Sequence, residues 1–206
     1  AALTLGAAPE TPQAVDLLIR GGEIWTGEDL PPFVGDVAVQ GDRIVYVGPT
    51  QPALRGARTI DARGMAVLPG LIDVHTHPDS YIRSEDPKAR LNAPWLMQGV
   101  TTIFTGIDGG GSPDIAKDTA ELQAGRIGTN VVPYVGFGAV RTQVLGRDAR
   151  APTSAELDRM KGLVAKAMCE GAIGFSTGLF YAPQSFASTE EVIEVAREAA
   201  RRGGVY

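Results

Sequence analysis

The apolar positions of this chain follow two different rhythms. From Asp16 they alternate with polar positions in short runs: 16–20 and 23–26 parted by Gly21-Gly22, then 37–40 and 43–47 parted by Gly41-Asp42, then 58–61. Alternation with a period of two predicts half-buried strands, and the two glycine-containing pairs predict hairpin turns. This stretch is expected to form a small antiparallel sheet or half of a sandwich.

After Gly64 the rhythm becomes strand, loop, helix. Residues 66–68 lead through Pro69-Gly70 into a strand over 71–75, and a short helix is expected over 92–98. A strand over 101–106 precedes a helix over 113–124, with Ser112 as its N-cap and Pro113 in its first position. Residues 130–137 are apolar almost throughout, as suits a strand buried on both faces. The helix over 154–169 opens on a capping-box pattern from Thr153 to Glu156 and closes at Gly171. A fourth strand over 172–180 precedes a helix over 188–202, capped by Ser188 or Thr189 and stopped at Gly203. Gly204-Val205-Tyr206 then begins a fifth strand. Such alternation predicts an α/β fold with a parallel sheet, in a barrel or an open form.

Composition removes several classes of function. The 206 residues are 44% hydrophobic and 21% charged, with a net charge of −5. That is a chain able to bury a core, not a disordered one. The 19 basic residues are scattered among 24 acidic ones, which leaves no basic footprint for nucleic acid. No run of about 18 apolar residues exists to span a membrane. A single cysteine, Cys169, excludes an intrachain disulfide. The first fourteen residues are small and uncharged until Glu10, and read as the tail of an exported protein's leader or a linker, so residues 1–15 are set apart and a periplasmic or exported location is expected.

Histidine occurs twice, at His75 and His77. On a strand, residues i and i+2 project from one face, so the two imidazoles aim at one point. Imidazole is the usual nitrogen ligand of zinc, and Pro78 places the pair at the strand's C-terminal end, where parallel α/β folds build their sites. A catalytic zinc needs about three protein ligands. Asp108, within the run Gly106-Ile107-Asp108-Gly109-Gly110-Gly111, stands at the end of the next strand and supplies a candidate third. The run lacks the spacing of a phosphate-binding loop.

These residues carry a resemblance. The segment from Val67 through Leu68-Pro69-Gly70-Leu71-Ile72-Asp73-Val74 to His75-Thr76-His77 resembles the metal-dependent amidohydrolase superfamily, whose members join a β-sandwich to a (β/α)8 barrel. Gly99-Val100-Thr101-Thr102, Val135-Gly136-Phe137-Gly138-Ala139-Val140-Arg141, residues 167–183 and Gly203-Gly204-Val205-Tyr206 resemble the N-acyl-D-amino-acid deacylases. The resemblance implies hydrolysis of the amide of an N-acyl amino acid by a metal-activated water, with His75, His77 and Asp108 on a divalent metal, expected to be zinc, as one or two ions. It places Phe137, Tyr181 and Ser176 on the substrate side. Where those deacylases carry a cysteine ligand this chain has Asp108. Where hydantoinases and dihydroorotases carry a bridging lysine it has Ser176. The alternatives are a dipeptidase or cyclic-amide hydrolase of the same superfamily, or a non-catalytic binding protein on the same fold.

The resemblance also bears on what the chain contains. Residues 16–64 correspond to the N-terminal part of the sandwich and 65–206 to the first half of the barrel, since a whole barrel takes about 250 residues. The remainder, on the same polypeptide or on a second chain, is expected to bring a histidine within about five residues of Tyr206, the later metal ligands and the Asp that serves as general acid and base. A homo-oligomer is a further expectation.

Overall fold

The computed structural model describes residues 13–206, which divide at Pro69 and Gly70 into two compact units. Most of the segment set apart as a leader or linker lies outside the described residues; residues 13–15 already belong to the first strand.

In the first unit, β1 (Gln13–Ile24), β2 (Phe33–Gln40), β3 (Arg43–Gly48) and β4 (Leu54–Asp61) form a sheet in the order β3-β2-β1-β4, and β5 (Ala66–Val67) also pairs with β1. The turn at Gly41-Asp42 joins β2 to β3 as expected. The hairpin expected at Gly21-Gly22 does not form. Both glycines lie inside β1, at a register shift against β2. Gly21 takes φ +72°, and its N–H donates to Asp36 Oδ1 at 3.0 Å. Asp36 is fully buried; its other oxygen accepts from the Gln51 N–H at 3.0 Å and faces Arg20 Nε at 3.5 Å. A bulge and a hairpin need the same glycine conformation, and the buried carboxylate selects the bulge. The sheet is also mixed where an antiparallel one was expected. Residues 49–53 carry the chain from β3 past β2 to the far side of β1, so β4 runs parallel to β1, as β5 does. Val15, Leu18, Ala38 and Leu54 make the core of this unit.

The second unit is a four-stranded parallel sheet in sequential order: β6 (Leu71–Asp73), β7 (Val100–Thr105), β8 (Asn130–Gly136) and β9 (Gly174–Ser176). Short helices α1 (Asp79–Ile82), α2 (Pro87–Arg90) and α3 (Ala93–Leu96) lie between β6 and β7. Then come α4 (Ile115–Gly125), α5 (Phe137–Leu145), α6 (Ser154–Cys169) and α7 (Thr189–Ala200). Val205 bridges Gly174 in parallel, in line with a fifth strand beginning there.

Several boundaries differ from the sequence pattern. The first strand stops at Asp73, whose carboxylate accepts from the His75 N–H at 3.2 Å and turns the chain out of the ladder. α4 starts at Ile115 without a side-chain cap; Ser112 Oγ instead accepts from the Asp114 N–H in the preceding turn. The strand expected through Phe137 ends at Gly136, and Phe137 opens α5. The buried residues Phe137, Gly138, Val140, Arg141 and Leu145 surround that helix so fully that its apolar run reads as more strand. The fourth strand shrinks to three residues, with loop beyond.

Both long helices begin where their caps predict. Thr153 Oγ1 accepts from the Glu156 N–H at 3.3 Å and Glu156 Oε2 accepts from the Thr153 N–H at 2.8 Å, which completes the capping box. Ser188 Oγ accepts from the Glu191 N–H at 3.2 Å. The main core, with Val135, Phe137, Met160, Val164, Phe175 and Val195, draws on β8, β9 and the helices α5 to α7. Inside it lies one ion pair, Arg141 Nε to Glu191 Oε1 at 2.9 Å, with both side chains almost wholly buried. The two terminal nitrogens of Arg141 donate to the Asp148 and Arg150 carbonyls, so each nitrogen of the buried cation has a partner.

Candidate metal centre

β6 and β7 are parallel neighbours with Ile72 beside Thr102 and Asp73 beside Ile103, so both deliver their C-terminal ends to the same edge of the sheet, β7 running on to Thr105. His75, Thr76 and His77 leave the end of β6. Thr76 is buried and its hydroxyl donates to the Phe104 carbonyl at 2.5 Å, pinning the segment against β7. With Thr76 turned inward, His75 and His77 share the opposite side, their ring centroids 5.5 Å apart and 69° from coplanar.

Asp108 arrives from the loop after β7, within a single 3-10 turn over Ile107–Gly109. Its backbone is left-handed, φ 56° and ψ 28°, a conformation that Asp tolerates better than most residues. His77 Nε2 lies 3.3 Å from Asp108 Oδ2, and His75 Nε2 lies 3.9 Å from Asp108 Oδ1. One ligand atom from each residue lies within 4.8 Å of the other two. Tetrahedral ligands about 2.1 Å from a zinc-sized ion stand about 3.4 Å from one another. The two nitrogens and the carboxylate are therefore already near the spacing that one ion requires. The group fits a divalent metal, and its donor set of two imidazoles and one carboxylate suits several. Both histidines are 62% exposed and the aspartate 34%, so the centre is open to solvent and to a ligand.

The other residues read from the sequence are placed as follows. Ser176 ends β9, and its Oγ accepts from the Gly109 N–H at 3.1 Å and donates to the Gly106 carbonyl. It thus grips the Asp108 loop on both sides. Tyr181 is half exposed on the loop after β9 and lines one cleft with Asp108, Gly138, Thr142 and Gln184. Phe137 is fully buried, edge to face with Phe175 at a centroid distance of 5.8 Å. The structure brings His75, His77 and Asp108 together, sets Tyr181 and Ser176 beside the loop that carries Asp108, and leaves Phe137 in the core.

Sequence reasoning missed Gln184. It is buried, donates from Nε2 to the Asp108 carbonyl at 2.9 Å and accepts at Oε1 from the Gly178 N–H at 2.8 Å. Its only signal in the sequence was a polar residue directly after Ala182-Pro183, at the end of the last long matching segment.

No family model matches the chain. It is 36% identical to D-aminoacylase of Alcaligenes xylosoxydans xylosoxydans over 94% of its own length and 44% of that protein's. A solved D-aminoacylase, from a study of the functional role of its binuclear metal centre, superimposes with a TM-score of 0.81 at 36% identity, over 93% of this chain and 44% of that one. N-acyl-D-glutamate deacylase from Bordetella bronchiseptica, solved with zinc and a phosphonate inhibitor that mimics the tetrahedral intermediate, gives a TM-score of 0.81 at 31% identity, over 92% and 44%. The chain thus spans less than half the length of the relatives it matches. Over that span, in sequence and in fold alike, it is similar to the D-aminoacylases.

Proposed function

We propose that the protein carrying this chain hydrolyses the amide bond of N-acyl-D-amino acids, with a divalent metal held by His75, His77 and Asp108. The observation that carries this reading is the approach of ligand atoms of these three residues to within 4.8 Å of one another, beyond the C-terminal ends of two adjacent parallel strands. When bound, the metal supplies a Lewis acid for the amide carbonyl and lowers the pKa of a water. Zinc is the ion we assign, as one or two ions.

This chain's own residues then orient the reactants. The two imidazoles would hold the ion from one side, and the Asp108 carboxylate would offset its charge. Tyr181, at the cleft that reaches Asp108, offers its hydroxyl to the substrate. Ser176 borders the same loop. Phe137 contributes from the core, by anchoring the start of α5, whose Gly138 and Thr142 line that cleft. The general acid and base, an aspartate, is assigned to the part of the relatives that this chain does not span. In domain terms, residues 16–64 belong to a sandwich and 65–206 to the first half of a barrel. A cyclic-amide hydrolase of hydantoinase type is disfavoured, because Ser176 stands where such enzymes place a lysine.

The test is a panel of N-acetyl-D- and N-acetyl-L-amino acids on the metal-loaded protein. Hydrolysis of D substrates, lost on chelation and restored by zinc, is expected. Turnover of L substrates alone, or of D substrates at full rate in chelator, would contradict the reading.

A further inference from the structure

Gln184 is 5% exposed, and its side-chain amide lies against the turn that carries Asp108. It is bonded at both ends, to the Asp108 carbonyl and to the Gly178 N–H. Room for it exists because its neighbours lack side chains. A Cβ on Gly109 would stand 2.1 Å from Gln184 Oε1, and one on Gly138 would stand 2.7 Å from Nε2. The amide therefore bridges the Asp108 turn and the loop after β9.

Asp108 is held in its left-handed conformation by groups that never touch its carboxylate. Ser176 fixes the backbone at Gly106 and Gly109. Among the described residues, Gln184 is the side chain that bonds the carbonyl of Asp108 itself. Rotation of that peptide would swing the carboxylate away from His77. We propose that Gln184 is a positioning residue of the metal centre: its Nε2–H, by holding the Asp108 carbonyl, aims the carboxylate at the point shared by His75 and His77. This rests on reading those three residues as metal ligands.

The experiment is a Co2+ titration of the metal-stripped protein, followed by the visible absorption of the bound ion, with a thermal melt of each variant alongside. Gln184→Met keeps the length and removes the donor. Gln184→Glu keeps an acceptor for Gly178 but sets an oxygen against the Asp108 carbonyl. Each should weaken Co2+ binding about 10- to 100-fold and move the absorption bands. Should Gln184→Met fail to fold, Gln184→Glu provides the same readout. Wild-type affinity and bands in a folded Gln184 variant, even with a lowered melting temperature, would overturn the proposal while Asp108→Asn still loses the ion. If Asp108→Asn also binds Co2+ as wild type does, the ligand reading itself fails and the positioning role goes with it.

Discussion

His77 Nε2 and Asp108 Oδ2 stand 3.3 Å apart although 31 positions of sequence separate them, because the strands that deliver them are parallel neighbours. That separation is what two ligands of one small ion would show.

Replacing both His75 and His77 with Ala should abolish metal content and amide hydrolysis together. Both side chains are largely exposed, so the melting temperature of the metal-free protein should change little. Elemental analysis and calorimetry on the same samples check this.

Asp108→Asn separates a ligand from a turn residue. Asn adopts the left-handed conformation as readily as Asp, so the loop should survive. The neutral amide cannot supply the carboxylate's charge, and turnover at fixed metal concentration should fall by about 100-fold or more. Unchanged kinetics would make Asp108 a turn residue only.

The buried pair of Arg141 and Glu191 should govern stability without touching the site. Glu191→Ala strands a buried guanidinium and should cost about 3 kcal/mol in denaturant melts. The double variant Arg141→Met with Glu191→Leu should recover much of that loss.

A pH effect is expected at the start of α6. The Arg150 guanidinium, then the Thr153 N–H and hydroxyl, hold the Glu156 carboxyl well below its ordinary value of 4.5. A carboxyl depressed in the folded state adds stability above that ordinary value and loses it as pH falls toward the folded one. The stability difference between wild type and Glu156→Gln should therefore be constant at neutral pH and narrow steadily below 4.5. Chemical denaturation across that range measures it.

The legible parts of the molecule were those written locally. His75 and His77 share a face by spacing alone, and Thr153 with Glu156 marks the start of α6 within four residues. Gly21-Gly22 was misread because glycine reports only a backbone conformation. Asp36, fifteen residues beyond Gly21, decides whether that conformation serves a turn or a bulge. Phe137 sits where an apolar strand passes directly into a helix buried on most sides, so no change of period marks the boundary. Gln184 was invisible for a different reason: its partner is a backbone carbonyl 76 residues earlier, and a carbonyl leaves no trace in sequence.

Crystals of the zinc-loaded protein, measured on both sides of the zinc absorption edge, test the central claim most directly. An anomalous peak is expected about 2.1 Å from an imidazole nitrogen of His75, an imidazole nitrogen of His77 and a carboxylate oxygen of Asp108. An active, zinc-containing protein whose peak lies away from these three residues would contradict it.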